Sequence, residues 1–357
     1  MKYPELASFG DVLPRLSEFD TIIDVRSPSE FAEDHIPGAI NCPVLDDLER
    51  IRVGTMYKQV NTFEAKKVGA ALVAKNIARH LENHFLDKPK EWKPLIYCWR
   101  GGNRSGSMAH IFAKIGWPVV QLDGGYKSYR QHVNLALPDI AAGIKWQVIC
   151  GTTGSGKSRL LQTLAELGAQ VLDLEQLAAH RGSVLGHLPS QAQPSQKMFE
   201  SKIWQMLRNA DREQAVFVES ESKKVGNLRV PDNIIDTMRS APCIAMDLPP
   251  EQRVALLMDD YAHFVRQPEV LNRQLDCLVS LHGKEKIQSW KNLATQGNMP
   301  ELVAALLTQH YDPAYLRSID KNFLQMPDAL QLSQTGISDD DFALTAKHIL
   351  KQADIPV

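Results

Sequence analysis

The sequence predicts an α/β protein with two parallel-sheet domains, the second of which continues into a helical extension. Three observations support this fold class. The chain has 357 residues, more than a single domain usually contains. Short apolar, β-branched runs alternate with segments of helical periodicity in two separate series, which is typical of parallel α/β sheets. Beyond Pro249 the short runs stop and only helical spacing continues.

The first series predicts an α/β domain over residues 10–137. Its predicted strands are Thr21–Val25, Leu95–Cys98 and Val119–Leu122. Helical periodicity over Lys66–Leu81 separates the first two strands, and strands joined through helices lie parallel in one sheet. We place the boundary to the next domain near Pro138–Lys145.

The second series predicts another parallel-sheet domain over residues 145–248. Its predicted strands are Trp146–Cys150, Gln170–Leu174, Ala215–Val218 and Cys243–Leu248. Their nearly continuous apolar character is expected where helices cover both faces of a sheet. Residues 249–357 are expected to be all helical and to pack on this domain as an extension. Helical spacing is clearest over Gln252–Val265, Glu269–Leu281 and Pro300–Gln309.

Composition indicates an ordinary globular protein, with 44% apolar and 23% charged residues. The N-terminal stretch lacks a signal-peptide core, and no apolar run reaches the roughly 20 residues of a spanning helix. We therefore expect a cytoplasmic protein with no membrane partner. The cysteines are scattered, without the CxxC pairs of a zinc site, so a functional cysteine is expected to act as a thiol. They are Cys42, Cys98, Cys150, Cys243 and Cys277.

Charge is distributed unevenly along the first domain. Residues 1–49 carry three Lys or Arg against eleven Asp or Glu, whereas residues 50–130 carry fifteen against five, a net charge of +10. The basic block could attract a polyanion such as a nucleic acid. A solvated surface that pairs with the acidic N-terminal stretch explains the same pattern, so charge alone leaves both interpretations open.

A phosphate-binding loop follows the first strand of the second domain. Its sequence, Gly151-Thr152-Thr153-Gly154-Ser155-Gly156-Lys157-Ser158, fits GxxxxGK[ST] and precedes a helical segment. The glycines allow backbone N–H groups to surround phosphate oxygens, Lys157 neutralises charge, and Ser158 can bind Mg²⁺. The motif predicts a polyphosphate ligand, and a diphosphate ester satisfies it as well as a nucleotide does.

A second acidic group usually completes the Mg²⁺ shell of such a loop. Asp173 and Glu219 are the candidates, because each follows a predicted strand of the same sheet. An N-cap or solvent-facing role explains each residue equally well. The sequence does not choose between them.

Cys98 ends a predicted buried strand and begins a second anion-binding loop. Trp99, Arg100, Gly101, Gly102, Asn103 and Arg104 follow it and lead into the helical segment Gly106–Ile115. Backbone N–H groups, a helix N-terminus and two arginines should converge on the sulfur and favour its thiolate form. Cys98 is therefore the predicted nucleophile, although a lone strand-end cysteine is more often inert.

The first domain resembles the rhodanese-fold sulfurtransferases over about residues 10–135. The resemblance rests on Asp24-Val25-Arg26, Glu30-Phe31, His35-Ile36-Pro37-Gly38-Ala39-Ile40-Asn41 and Leu122-Asp123-Gly124-Gly125-Tyr126. It implies that Cys98 carries a chalcogen adduct. Five residues separate Cys98 from Arg104, a spacing similar to the CxxxxxR loop of dual-specificity phosphatases. That alternative stays open on the loop alone, although Tyr97 stands where those phosphatases commonly have histidine.

The two motifs together, CWRGGNRS and GTTGSGKS, resemble the bacterial tRNA 2-selenouridine synthases over essentially the whole chain. The stretches His180–Ser183, Pro194–Gln196 through Phe199-Glu200, and Tyr311-Asp312-Pro313 also resemble this family. The resemblance implies conversion of wobble 2-thiouridine to 2-selenouridine through S-geranyl-2-thiouridine. Geranyl diphosphate and selenophosphate would be the substrates and Mg²⁺ the cofactor. The anticodon arm of tRNA would bind the basic block, and the enzyme that makes selenophosphate is a further candidate partner.

The sequence alone leaves two other classes of function open. A P-loop kinase or ATPase with an appended thiol domain would turn over nucleotide independently of Cys98. A binding protein with an inert rhodanese-like docking module would tolerate Cys98→Ser without measurable change.

Overall fold

The computed structural model describes residues 3–183, 185–188 and 191–352. The chain divides into two compact units. The first ends at Leu137 and takes in Glu200–Lys202, and the second contains Pro138–Phe199 and the chain from Ile203 onward. Helix Gly125–Ala142 runs through the division. Among the described residues, no helix is both long and apolar enough to cross a membrane.

The first unit contains a five-stranded, entirely parallel sheet in the order β1-β5-β4-β2-β3. Its strands are β1 (Glu5–Ala7), β2 (Thr21–Asp24), β3 (Ala39–Asn41), β4 (Pro94–Tyr97) and β5 (Val120–Leu122). Its helices are α1 (Phe9–Val12), α2 (Pro28–Glu33), α3 (Asp47–Gln59), α4 (Thr62–His80), α5 (Asn103–Ile115) and α6 (Gly125–Ala142). The three predicted strands are confirmed, and the short outer strands β1 and β3 add to them.

Aromatic packing stabilises the core of the first unit. Phe85, Trp92, Phe112 and Trp117 are buried, with ring centroids 4.9–5.9 Å apart. Three of these contacts are edge-to-face, and such aromatic pairs add to the free energy gained by burying the rings. The aromatic cluster fixes α5, which contains Phe112, beside β4. The loop between β4 and α5 is therefore held at both ends.

The second unit contains another five-stranded parallel sheet, in the order β12-β11-β6-β8-β7. Its strands are β6 (Lys145–Cys150), β7 (Gln170–Leu172), β8 (Ala215–Glu219), β11 (Cys243–Asp247) and β12 (Leu330–Ser333), and a small antiparallel pair is formed by β9 (Lys224–Val225) and β10 (Leu228–Arg229). P-loop strand β6 is central, so the carboxyl ends of β8 and β11 lie on either side of the loop that follows it.

Helices of the second unit surround this sheet and form its C-terminal region. They are α7 (Lys157–Glu166), α8 (Leu174–Ala178), α9 (Gln196–Asn209), α10 (Asp232–Arg239), α11 (Pro250–Asp260), α12 (Ala262–Arg266), α13 (Pro268–Leu275), α14 (Val279–His282), α15 (Lys284–Thr295), α16 (Met299–Leu306), α17 (Asp312–Asn322) and α18 (Asp339–Gln352).

The expectation that everything after Pro249 is helical is wrong at β12. This strand pairs in parallel with β11 and forms an edge of the P-loop sheet. Only Leu332 of its four residues is buried, so the sequence shows no continuous apolar run there. The C-terminal region thus supplies a strand of the sheet as well as the helix α18, which packs on α7.

Candidate active site: a thiol loop and a phosphate loop

Cys98 lies immediately after β4, at the carboxyl edge of the first sheet. Residues 98–102 connect β4 to α5. The residue is 3% exposed. Backbone packing around it is close: a Cβ atom on Gly125 would collide with the Cys98 carbonyl oxygen, and one on Gly101 would lie 2.5 Å from the Leu122 oxygen. Both glycines also have positive φ angles, a conformation that other residues rarely adopt. These glycines therefore allow the thiol loop to pack against residues 122–126.

A hydrogen-bonded chain of side chains ends at the Cys98 sulfur. The Ser105 hydroxyl donates to Cys98 Sγ at 3.2 Å. Gln121 Nε2 donates to Ser105 Oγ at 3.2 Å and to the Gly101 oxygen at 2.6 Å. Ser105 Oγ also lies 3.2 Å from the Gly102 carbonyl oxygen, so its single proton is shared between that oxygen and the sulfur.

The two arginines of the loop differ from the sequence-based expectation. Arg104 Nη1 donates to Glu30 Oε2 at 2.7 Å, so its charge is paired with a carboxylate. Arg50 lies 3.9 Å from the same carboxylate. Arg100 is exposed. The positive charge that Arg104 was expected to add at the sulfur is therefore partly offset by Glu30 from α2.

The remaining loop residues pack on the start of α6 and begin α5. The Trp99 ring lies 5.2 Å from the ring of Tyr126, between centroids. Gly102 is the N-cap position of α5, and Asn103 is its first residue. The positive end of the α5 dipole is thus at the loop, a setting that stabilises an anion.

The other stretches that resemble rhodaneses form a buried support under the loop. Arg26 and Asp24 make an ion pair of 2.6 Å, with both side chains almost inaccessible. Arg26 also donates to the Asp34 oxygen at 2.6 Å and lies over the Tyr126 ring at 4.0 Å. Tyr97 accepts a hydrogen bond from Ile36 N. Removing one partner of such a buried pair typically costs about 3–5 kcal/mol, so these residues are positioning residues for the loop.

The P-loop of the second unit connects β6 to α7. Lys157 Nζ donates to the carbonyl oxygens of Gly151 and Thr152, at 2.6 and 3.2 Å. Gly154 and Gly156 have positive φ angles. A Cβ atom on Gly154 would collide with Leu257, and one on Gly156 would collide with Phe342. The loop therefore closes on its own lysine and packs tightly against α11 and α18. A bound polyphosphate would replace these carbonyl oxygens as the partner of Lys157.

The Tyr311-Asp312-Pro313 stretch, to which sequence reasoning gave no role, supports the P-loop. Arg253 from α11 binds Asp312 through two hydrogen bonds of 2.6 and 3.0 Å and donates to the Thr153 oxygen at 2.7 and 2.9 Å. Tyr315 accepts a hydrogen bond from Gly151 N at 2.5 Å. Helix α17 is therefore fastened to two residues of the phosphate loop.

Three carboxylates converge beside Ser158. Glu175, Glu219 and Glu221 each place an oxygen within 4.8 Å of the other two. Ser158 Oγ donates to Glu175 Oε2 at 3.2 Å. Burial, together with the repulsion between the carboxylates, raises the pKa of Glu219 and raises the pKa of Glu175 to about 8. Such a cluster is costly without a counter-cation.

The carboxylate cluster fits a magnesium ion. Glu219 is 2% exposed, and its Oε1 has no hydrogen-bond partner among the described residues. Oxygen ligands of this kind are the ones that Mg²⁺ prefers. Asp173, the other sequence candidate, lines the same cavity and also caps α8 by accepting from Gln176 N at 2.7 Å. Glu175 and Glu221 were missed, and the acidic pair Glu219-Ser220-Glu221 after a strand was the signal available.

A cavity of about 880 Å³ joins these features in the second unit. Lys157, Ser158 and the three carboxylates line it. Gly182, from the His180–Ser183 stretch, also borders it with a φ of +61°, and a Cβ atom there would collide with Glu221. Arg181 next to it lies over the Tyr261 ring at 4.6 Å. This stretch is therefore a close-fitting wall of the phosphate cavity.

A strand-end thiol in a rhodanese-type sheet and a P-loop beside an acidic cluster define a two-domain α/β enzyme of the transferase class. Comparison with protein families agrees: a rhodanese-like domain model matches residues 10–132, and the model "tRNA 2-selenouridine synthase AAA domain" matches residues 144–276.

Curated relatives named tRNA 2-selenouridine synthase match most of the chain. The protein of Aeromonas salmonicida is 32% identical over 83% of this chain and 86% of its own length. That of Sulfurovum sp. is 31% identical over 87% and 93%, and that of Nitrosomonas europaea is 36% identical over 73% and 68%. The chain belongs to the tRNA 2-selenouridine synthase family.

Proposed function

We propose that this chain converts 2-thiouridine at the wobble position of tRNA to 2-selenouridine through an S-geranylated intermediate. Geranyl diphosphate would bind at the P-loop, and Cys98 would act in the reaction with selenophosphate. The observation that carries the proposal is the hydrogen bond from Ser105 to the Cys98 sulfur, backed by Gln121. A kinase or ATPase reaction at the P-loop would give this thiol no role.

The first reaction alkylates the thiocarbonyl sulfur. The C1–O bond of geranyl diphosphate breaks with its electron pair leaving on the diphosphate, the C1–S bond forms, and the base releases its N3 proton to solvent. Lys157 and the backbone N–H groups of the P-loop hold the departing charge. Magnesium held by Ser158 and the carboxylates around Glu219 would neutralise further charge on the diphosphate.

The second reaction replaces the alkylated sulfur without oxidation or reduction. Selenium of selenophosphate forms a bond to C2 of the base, and the C2–S bond breaks to release geranyl thiolate. The Cys98 thiolate then takes the phosphoryl group, which frees the selenocarbonyl, and water returns the thiolate and phosphate. Direct placement of selenium on the Cys98 sulfur, which the rhodanese resemblance implies, would instead leave phosphorus reduced.

The tRNA would contact the basic block of the first unit at the α3–α4 pair. Helix α3 buries none of its side chains, although it packs on α4 through Val53 and Gly69. Exposed apolar residues on the pair are Leu48, Ile51, Tyr57, Val60 and Phe63. Exposed basic residues on the same two helices are Arg50, Arg52, Lys58, Lys66, Lys67, Lys75 and Arg79. Cations for phosphates and aromatic rings for unstacked bases are the combination that single-stranded RNA requires.

The test is mass spectrometry of nucleosides after incubation with thiolated tRNA, geranyl diphosphate, Mg²⁺ and selenophosphate. The wild-type chain should yield selenouridine. Lys157→Ala should leave 2-thiouridine untouched, whereas Cys98→Ser should lose geranyl thiolate but stall with the phosphoryl group still on selenium. Cys277→Ser, which changes an exposed cysteine of the second unit, is the matched control and should behave as wild type. Full conversion by both Lys157→Ala and Cys98→Ser would refute the mechanism.

A further inference from the structure

A second, apolar pocket with a cavity volume of about 70 Å³ lies in the helical region of the second unit. Helices α11, α12, α13 and α16 supply its walls. Leu257, Phe264, Leu271, Met299, Leu302 and Leu306 are representative lining residues. None of the described residues that line this pocket is charged. It is therefore a hydrocarbon environment.

The apolar pocket adjoins the phosphate cavity. Thr153 of the P-loop lines both spaces, and so do Ser183, Leu257, Tyr261 and Tyr311. A ligand can therefore place its phosphates on the P-loop and extend its other end past the two tyrosine rings into the apolar pocket. The junction lies where the ester bond of such a ligand would sit.

The chemistry of the walls selects the kind of ligand. A nucleoside entering this pocket would bury ribose hydroxyls and ring nitrogens among leucine and methionine side chains, and buried polar groups without hydrogen bonds are costly. A hydrocarbon chain has no such groups and gains free energy with each methylene that leaves water. The pocket thus favours an alkyl diphosphate over a nucleoside triphosphate.

We infer that this apolar pocket is the binding site for the prenyl chain of the diphosphate substrate. The inference rests on the proposed function for the identity of the diphosphate and adds the residues that recognise its chain. Leu302 and Met299 of α16 select for chain length, and Tyr261 and Tyr311 flank the allylic carbon. Aromatic faces there stabilise the positive charge that develops on this carbon as the diphosphate leaves.

The first experiment needs no mutation. Calorimetry on the full chain with Mg²⁺ should show that geranyl diphosphate binds at least about tenfold more tightly than dimethylallyl diphosphate, because each buried methylene contributes about fourfold. Inorganic pyrophosphate should bind more weakly than either, and ATP should not displace geranyl diphosphate at equal concentration. Equal affinity for pyrophosphate and geranyl diphosphate would overturn the inference.

The second experiment fills the pocket. Leu302→Trp should weaken geranyl diphosphate at least about tenfold and leave pyrophosphate binding unchanged, since pyrophosphate contacts the P-loop alone. Leu281→Trp makes the same change at an exposed position of α14 and should alter neither. Equal weakening of both ligands by Leu302→Trp would count against the inference.

The binding assay separates this inference from the proposed function, because it contains neither tRNA nor selenium. Pocket-dependent binding of geranyl diphosphate without any nucleoside product would sustain the inference and refute the function. If wild type and Leu302→Trp made geranylated tRNA equally well, the proposed function would be supported and the inference about the apolar pocket would be refuted.

Discussion

The Ser105 hydroxyl donates a hydrogen bond to the Cys98 sulfur over 3.2 Å. Seven positions separate the two residues, which lie at the end of β4 and in the first turn of α5. The contact joins the strand that presents the sulfur to the helix whose positive end faces it. It therefore gives the thiol an electrostatic partner that the paired Arg104 does not supply.

Removing the Ser105 hydroxyl should slow the reaction of Cys98. A hydrogen bond to a charged group is worth roughly 1.5–3 kcal/mol, so alkylation of Cys98 by iodoacetamide at neutral pH should fall at least about tenfold in Ser105→Ala. Ser105→Thr keeps the hydroxyl and should restore most of the rate. Mass spectrometry of the labelled peptide measures the effect. Unchanged alkylation in Ser105→Ala would show that the bond does not tune the sulfur.

The cysteines should separate by reactivity. Burial raises the pKa of the Cys42 thiol to about 12, so in the folded protein Cys42 is protonated at pH 8 and becomes thiolate only in strong base. Iodoacetamide at pH 8 should label the exposed Cys277 and leave Cys42 unmodified until urea unfolds the chain. Peptide mapping before and after unfolding tests this. Rapid labelling of Cys42 in the native protein would contradict its burial.

Glu219 and Asp173 should differ in their response to magnesium. Glu219→Gln should reduce the Mg²⁺-dependent gain in pyrophosphate affinity at least about tenfold. This is the loss expected when a metal site is impaired. Asp173→Ala should keep that gain and lower the free energy of unfolding by about 1 kcal/mol, the usual cost of a lost N-cap. Calorimetry with and without Mg²⁺ and urea denaturation measure the two effects. A larger loss of magnesium dependence in Asp173→Ala would reverse the assignment.

The α3–α4 pair should carry much of the affinity for tRNA. The double variant Tyr57→Ala and Phe63→Ala should weaken binding at least about tenfold, because a stacked base contributes roughly 1–3 kcal/mol. Lys58→Ala should lower the salt dependence of binding by about one ion. Leu344→Ala, at an exposed position of α18, is the control. Filter binding across salt concentrations measures both effects. Unchanged affinity in the double variant would mean that tRNA binds elsewhere.

Sequence patterns predicted what local chemistry determines. Central strands such as β4 and β6 are apolar throughout, and the GxxxxGK[ST] motif carries its own geometry, so both were identified. Edge strands β1, β3 and β12 have three or four residues and bury few side chains, which leaves little periodicity to detect.

Contacts across long sequence separations were out of reach. Glu30 pairs with Arg104 across 74 positions, and Arg253 binds Asp312 across 59. The sequence around each of these residues does not indicate its distant partner. The carboxylate cluster depends on the same kind of meeting, because Glu175 arrives from α8 and Glu219 from β8.

The edge strand β12 and helix α18 set a limit on where this protein can be shortened. Phe342 from α18 lies against Gly156 of the phosphate loop, and β12 covers the open side of β11. A fragment that stopped near residue 276, where the match to the family model ends, would keep every residue of the GxxxxGK[ST] motif. It would nevertheless expose β11 as a bare edge and remove the aromatic ring beneath the loop. The motif alone is therefore not a portable phosphate-binding module.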